Sequence, residues 1–141
     1  MAMKDKNALV RAKGLQLLAG LHPREVVQAC ARVLEEGAVV EKQRAISVLA
    51  DSREPSADEV LRGWMERLLA GKTPAEIRLD LVEASRRRKN PALAALLARY
   101  ESTRSPGDPT ARWRDVLAGG DAEAGRAIFR DKAEVNCVKC H

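Results

Sequence analysis

Residues 11–19 read RAKGLQLLA and residues 42–50 read KQRAISVLA, so a similar apolar stretch recurs along the chain. The segments that follow them also match, because Glu25-Val26-Val27 before Gly37 resembles Glu59-Val60-Leu61 before Gly71. A third pair, EIRLDLVEA and PALAALLARY, continues the pattern more weakly. The period is about 30–35 residues, which is the length of one helical hairpin. The repeat therefore predicts an all-α protein built from successive pairs of helices.

Apolar residues at helical spacing predict six helices in this part of the chain, each with one buried face. The residues expected to face inward are Val10, Gly14, Leu17, Leu18 and Leu21; Val26, Val27, Cys30, Val33 and Leu34; Val39, Ile46 and Leu49; Val60, Leu61, Trp64 and Leu68; Ile77, Leu81 and Ala84; and Leu93, Leu96, Leu97 and Tyr100. Two helix starts are well marked. Thr73-Pro74-Ala75-Glu76 has the pattern of a capping box, and Asn90-Pro91 begins the sixth helix.

The repeat resembles short HEAT-like units between about Asn7 and Glu101. That resemblance implies an α-solenoid, since a single hairpin cannot bury its apolar face alone. A non-repeating helical bundle is the alternative. We expect a HEAT-like domain over residues 1–104, a linker with a short helix over residues 105–120, and a separate unit over residues 121–141. A change in composition at STRSPGDP, residues 102–109, marks the passage into this linker, whose short helix ends at Gly119-Gly120.

Composition excludes some classes of function. The chain has 141 residues, 25 of them basic and 20 acidic, and a net charge of +5. This small, interspersed excess, with only 3% aromatic residues, argues against nucleic-acid binding. No stretch approaches the roughly 20 apolar residues of a transmembrane helix. The N-terminus lacks the apolar run of a signal peptide.

The last five residues, Cys137-Val138-Lys139-Cys140-His141, form the C-x-x-C-H attachment motif of c-type haem. Two thiols at this spacing can form thioethers with the haem vinyl groups, and the histidine can ligate the iron. Two alternatives remain open. The three residues could ligate zinc, although no fourth ligand is evident. The tail could also carry two reduced thiols and no cofactor.

The segment GDAEAGRAIFRDKAEVNCVKCH, over residues 120–141, resembles the first helix and haem-binding loop of a class I cytochrome c. Asp121 can cap the helix, and Gly125 and Phe129 share one helical face. The resemblance implies that Gly125 allows close helix packing and that Phe129 packs near the haem edge. The loop from Phe129 to Cys137 is longer than in small cytochromes c. In this it is similar to the multidomain, dehydrogenase-linked haem proteins of planctomycetes and verrucomicrobia.

That family resemblance carries several functional expectations. It implies that Cys137 and Cys140 bind haem c covalently, that His141 is an axial iron ligand, and that the chain transfers electrons to a redox partner or a neighbouring domain. It also implies that the chain is a fragment of a larger exported, periplasmic protein. The distal ligand is usually methionine, and none of Met1, Met3 and Met65 is a natural candidate.

Other chemically notable residues have simpler explanations. Cys30 lies on an apolar helical face, which predicts a buried thiol, and His22 precedes the proline that opens a helix. The adjacent carboxylates Glu35-Glu36 and Asp58-Glu59 point apart on a helix and predict solvated surface. The sequence therefore offers no catalytic centre in this chain, although the parent could be an oxidoreductase. The alternative function is a helical-repeat interaction scaffold with no haem bound in this chain.

Overall fold

In the computed structural model, which describes residues 2–104, 107–117, 119–132 and 139 (backbone only at residues 2 and 112), the chain is all-α. The described residues form seven α-helices and no strand. The α-helices are α1 (Ala8–Leu21), α2 (Pro23–Glu36), α3 (Val39–Asp51), α4 (Pro55–Leu69), α5 (Arg78–Arg87), α6 (Pro91–Ser102) and α7 (Ala122–Asp131). Three short 3₁₀ segments accompany them: Ala2–Lys4, Ala75–Ile77 and Ala111–Leu117.

Local capping sets most of the helix starts. Asn7 Oδ1 accepts a hydrogen bond from the Leu9 amide at 2.9 Å, and Asn90 Oδ1 accepts one from the Ala92 amide at 2.9 Å. A proline opens each of α2, α4 and α6, where its missing N–H carries no penalty. The predicted start of the sixth helix at Asn90-Pro91 is therefore confirmed.

The capping box predicted at Thr73 does not form. The Thr73 side chain is buried, and its hydroxyl donates to the Trp64 carbonyl oxygen at 3.5 Å. Glu76 is exposed in the 3₁₀ segment Ala75–Ile77, and α5 begins only at Arg78. Burial against α4 places the threonine hydroxyl with a tertiary partner, so it cannot cap the following turn.

The six helices α1–α6 lie in two layers. In one layer α1 packs against α3, and α3 packs against α5. In the other layer α2 contacts α4, and α4 packs against α6. One continuous apolar core runs between the layers. Its largest fully buried side chains include Leu15, Leu34, Ile46, Leu49, Leu61, Met65, Leu81 and Leu93.

Two of the predicted buried faces, those of α1 and α3, are wrong in part, although Gly14 of α1 and Ile46 and Leu49 of α3 are buried as predicted. Val10, Leu17 and Leu21 of α1 are exposed, whereas Ala12 and Leu15 are buried. Helix α1 carries apolar residues around most of its circumference, so spacing alone does not choose between faces, and packing on α3 decides. Val39, at the start of α3, is also exposed. The buried stripes predicted for α2 and α6 are largely correct.

Charged pairs join helices that are distant in sequence. The Arg11 guanidinium on α1 donates to both carboxylate oxygens of the buried Glu41 on α3, at 2.8 and 2.7 Å. Arg88, which follows α5, donates from Nε to Asp58 Oδ1 at 2.5 Å, and from Nη1 to the Leu49 carbonyl oxygen at 3.2 Å and to the Ser52 carbonyl oxygen. These contacts connect α1 with α3, and the end of α5 with α3 and α4.

Candidate functional site

The predicted haem-attachment residues Cys137, Cys140 and His141 lie outside the described residues. The part of the candidate site that the structure describes is α7, the helix that precedes them, together with the contacts that hold the chain before α7. These elements determine where the C-terminal segment leaves the helical core.

Helix α7 begins at Ala122 because Asp121 caps it. The Asp121 carboxylate accepts hydrogen bonds from the amides of Glu123 at 3.0 Å and Ala124 at 2.9 Å. A carboxylate at this position also interacts favourably with the positive end of the helix dipole. The helix start that the sequence predicts at Asp121 is therefore confirmed.

All ten residues of α7 are exposed, although the helix is strongly amphipathic. Ile128 and Phe129 lie on one side with 50% and 40% of their surface accessible, and the space beside Gly125 is open within the described structure. Arg126 and Arg130 are four residues apart on another side of the helix. The structure therefore presents an apolar helix face that the described part of the chain leaves accessible.

A glycine joint precedes α7 and ties it to the core. Gly119 has a φ of 86°, a left-handed conformation that favours glycine. A methyl group on its α-carbon would overlap the Glu76 carbonyl group. The side-chain amide of Gln43 on α3 donates to the Glu76 carbonyl oxygen at 3.0 Å and to the Gly119 carbonyl oxygen at 3.2 Å. The joint thus holds the chain against α3 directly before α7.

The 3₁₀ segment Ala111–Leu117 is attached to the end of α6 through a buried carboxylate. Asp115 accepts hydrogen bonds from the Tyr100 hydroxyl at 2.7 Å and from Arg104 Nη2 at 2.6 Å. Burial, followed by the hydrogen bond with Asp115, raises the pKa of Tyr100 to about 12. The sequence predicts a short helix here, but it gives no signal for the carboxylate that attaches it.

The other chemically notable residues of the sequence are buried in the helical core or lie beside charged partners. Cys30 is fully buried between helices, as predicted, and burial raises the pKa of its thiol to about 12. His22 precedes α2, and its Nδ1 lies 3.6 Å from Glu25 Oε1. Glu35 pairs with Arg67 at 2.7 Å, and the pKa of Asp58 is lowered, first by its hydrogen bond with Arg88.

Within residues 2–104, 107–117 and 119–132, no three His, Cys, Asp or Glu side chains lie close enough together to hold a metal ion. No helix in the described part of the chain has the length and apolar character needed to cross a membrane. A groove of about 610 Å³ lies between the α1–α2 turn and the α3–α4 turn and has a mixed polar and apolar lining.

Comparison with known proteins returns no match: no family model fits the chain, and no curated protein or solved structure is significantly similar to it.

Proposed function

We propose that this chain is a haem-binding electron-transfer module, in which a helical-repeat scaffold carries the beginning of a cytochrome c domain. The observation that carries the proposal is the C-x-x-C-H motif at residues 137–141, preceded within a few residues by a capped amphipathic helix with an accessible apolar face. A haem is a large apolar plate that protein must cover to reach a useful potential. The accessible Ile128 and Phe129 fit a helix that contributes to such a cover.

Each residue of the motif has a chemical role in this proposal. Cys137 and Cys140 hold the haem by thioether bonds, and His141 ligates the iron. The bound haem supplies one-electron transfer at the iron. The side chain of Phe129 helps to exclude water from the haem edge, and Gly125 allows another helix to approach α7 closely. The parent protein would be periplasmic, and the electron donor or acceptor would be a redox partner or a neighbouring domain.

The proposed scaffold is an α-solenoid of HEAT-like hairpins. Its support is the alternating packing order, in which α1, α3 and α5 form one layer and α2, α4 and α6 the other. The ion pairs Arg11–Glu41 and Arg88–Asp58 each join one hairpin to the next. Contact between successive hairpins is the defining feature of repeat architectures.

The decisive experiment is export of the chain in a host with a cytochrome c maturation system. We expect a Soret band that survives acid–acetone extraction, because thioether-bound haem is not extracted. A Cys137→Ser/Cys140→Ser double variant should lose the band. Cys30→Ala is the matched control and should keep it, since this buried thiol lies outside the motif. A colourless product from the full-length parent protein would contradict the proposal.

A second candidate is an interaction scaffold that binds a partner without haem. The observation in its favour is that the apolar core involves α1–α6, while all of α7 is exposed. Deletion of residues 121–141 should then leave the melting temperature and partner binding unchanged. A large loss of stability on deletion would show that the C-terminal segment packs on the scaffold.

A further inference from the structure

Exposed large apolar side chains are concentrated at the two ends of the described chain. The complete set is Leu9, Val10, Leu17, Leu21, Val39, Trp113, Val116, Leu117, Ile128 and Phe129. Helix α1 supplies the first four, and Val39 is the only one from residues 22–104. We infer that the outer face of α1, formed by Val10, Leu17 and Leu21, is a docking face for another helical hairpin of the same build as α1–α2.

The register between α1 and α3 supports this inference. Helix α1 begins at Ala8 and α3 begins at Val39, and the sequence match RAKGLQLLA with KQRAISVLA has the same offset. In that register Val10 corresponds to Glu41, and Leu17 corresponds to Val48. Equivalent positions on two stacked helices face the same direction along the stack.

The two α3 residues at these positions face the preceding hairpin. Glu41 accepts two hydrogen bonds from the Arg11 guanidinium of α1. Val48 lines the same groove as Gln16 and Ala19 of α1 and is only 7% exposed. Leu17, its counterpart on α1, is 58% exposed. The outer face of α1 thus carries the residues of a stacking surface at the position where a preceding helix would pack.

The chemistry of the face defines the occupant. The face is apolar, so a helix with a complementary apolar stripe fits it. Val10 takes the place of the Glu41 carboxylate, so the occupant should carry an apolar residue where α1 carries Arg11. A hairpin fits better than a single helix, because α3 packs against both α1 and α2 of the hairpin before it. This inference rests on the proposed repeat arrangement.

The inference can be tested by adding a copy of residues 7–37 that carries Arg11→Leu before residue 7 of the full chain, so that an apolar side chain of the copy meets Val10. The copy should pack on the original α1. The extended chain should then unfold in one transition, at a higher urea concentration than the unextended chain of 141 residues. Leu17→Glu in the original hairpin, at the new interface, should raise the unfolding equilibrium constant of the extended chain by roughly ten- to a hundred-fold. This is the effect of losing a buried leucine. In the unextended chain, where Leu17 is exposed, the same substitution should have little effect.

Two further variants make the test specific. Val10→Glu in the original hairpin should stabilise a second extended chain whose copy keeps Arg11, because this reproduces the Arg11–Glu41 pair between α1 and α3. The same substitution should not stabilise the unextended chain. Val39→Glu is the matched control at an exposed apolar position away from the face, and it should affect both chains equally. Equal effects of Leu17→Glu on both chains would overturn the inference. A dimer of the unextended chain in light scattering that Leu17→Glu abolishes would also overturn the inference, since the occupant of the face would then be a second molecule of this protein. Neither measurement involves haem, so failure here leaves the haem proposal untouched.

Discussion

Replacement of Arg88 by methionine should destabilise the fold far more than the same replacement at the adjacent Arg87. Both arginines pair with an aspartate from the preceding hairpin. The Arg88 side chain is only 12% exposed and contacts Asp58 at 2.5 Å, whereas the Arg87 side chain is 53% exposed and contacts Asp51 at 3.1 Å. Methionine keeps much of the aliphatic stem, so the comparison isolates the loss of the charged head.

The expected magnitude follows from the contacts of each guanidinium. Arg88 donates to the Asp58 carboxylate, to the carbonyl oxygen of Leu49 in the last turn of α3, and to the carbonyl oxygen of Ser52 directly after α3. A hydrogen bond to a charged group contributes about 1.5–3 kcal/mol. Since Asp58 keeps some access to water, we expect Arg88→Met to lower the free energy of unfolding by about 2–3 kcal/mol. An exposed pair contributes about 0–1 kcal/mol, so Arg87→Met should cost less than that.

Urea denaturation at neutral pH measures both values, and an acid series adds a second test. The hydrogen bond from Arg88 holds the pKa of Asp58 below its usual range. A carboxyl group with a lowered pKa stabilises the fold above its unfolded-state pKa, and this contribution is lost as the pH falls through its folded-state pKa. The difference in free energy of unfolding between the unsubstituted chain and Arg88→Met should therefore shrink below about pH 4. Equal losses for Arg87→Met and Arg88→Met at neutral pH would refute the reasoning.

Three further predictions follow from single sites. Gly119→Ala should lower the free energy of unfolding by at least about 1 kcal/mol, because alanine disfavours the left-handed φ and its methyl group would overlap the backbone of Glu76. Gly120 has open space beside its α-carbon, so the free energy of unfolding of Gly120→Ala should be within about 0.5 kcal/mol of the unsubstituted value. The single tyrosine, Tyr100, should ionise in ultraviolet titration with a pKa of about 12, and Asp115→Asn should lower that pKa. Because the folded-state pKa of Tyr100 is raised, its contribution to stability should be complete below about pH 10 and disappear as the pH rises through its folded-state pKa; an ordinary tyrosine titration curve would contradict this. Cys30 should resist thiol-reactive reagents at neutral pH until the protein is unfolded, because it is buried with a raised pKa, and rapid labelling of the folded protein at Cys30 would contradict that view.

Helix positions were the most predictable feature of this protein, because capping and apolar spacing act over a few residues. Asn90 and Asp121 cap the helices that the sequence predicts for them. The same local rule failed at Thr73, where packing against α4 gives the hydroxyl a tertiary partner. A capping pattern predicts a helix start only when the capping side chain remains free to reach the first turn.

In the candidate site, too, some features can be read from the sequence and others depend on the folded structure. The C-x-x-C-H motif and the haem chemistry that we propose for it rest on the sequence alone, since Cys137, Cys140 and His141 lie outside the described residues. The glycine joint at Gly119 is a feature of the tertiary structure. Its conformation is needed because Gln43 and the Glu76 carbonyl group approach from distant parts of the chain. Nothing near Gly119 in the sequence distinguishes it from Gly120.

The all-α class and the starts of most helices could be predicted from the amino-acid sequence, and the C-x-x-C-H motif from which we propose haem attachment is read from it. The buried face of α1 required the folded structure, as did the choice of Arg88 among the four consecutive basic residues 86–89, since its three acceptors lie on α4 and at the C-terminal end of α3. The physical reason is that helix formation and capping depend on neighbours within about one turn. Burial and ion pairing depend on groups that only folding brings together, such as Leu15 with α3 and Arg88 with Asp58.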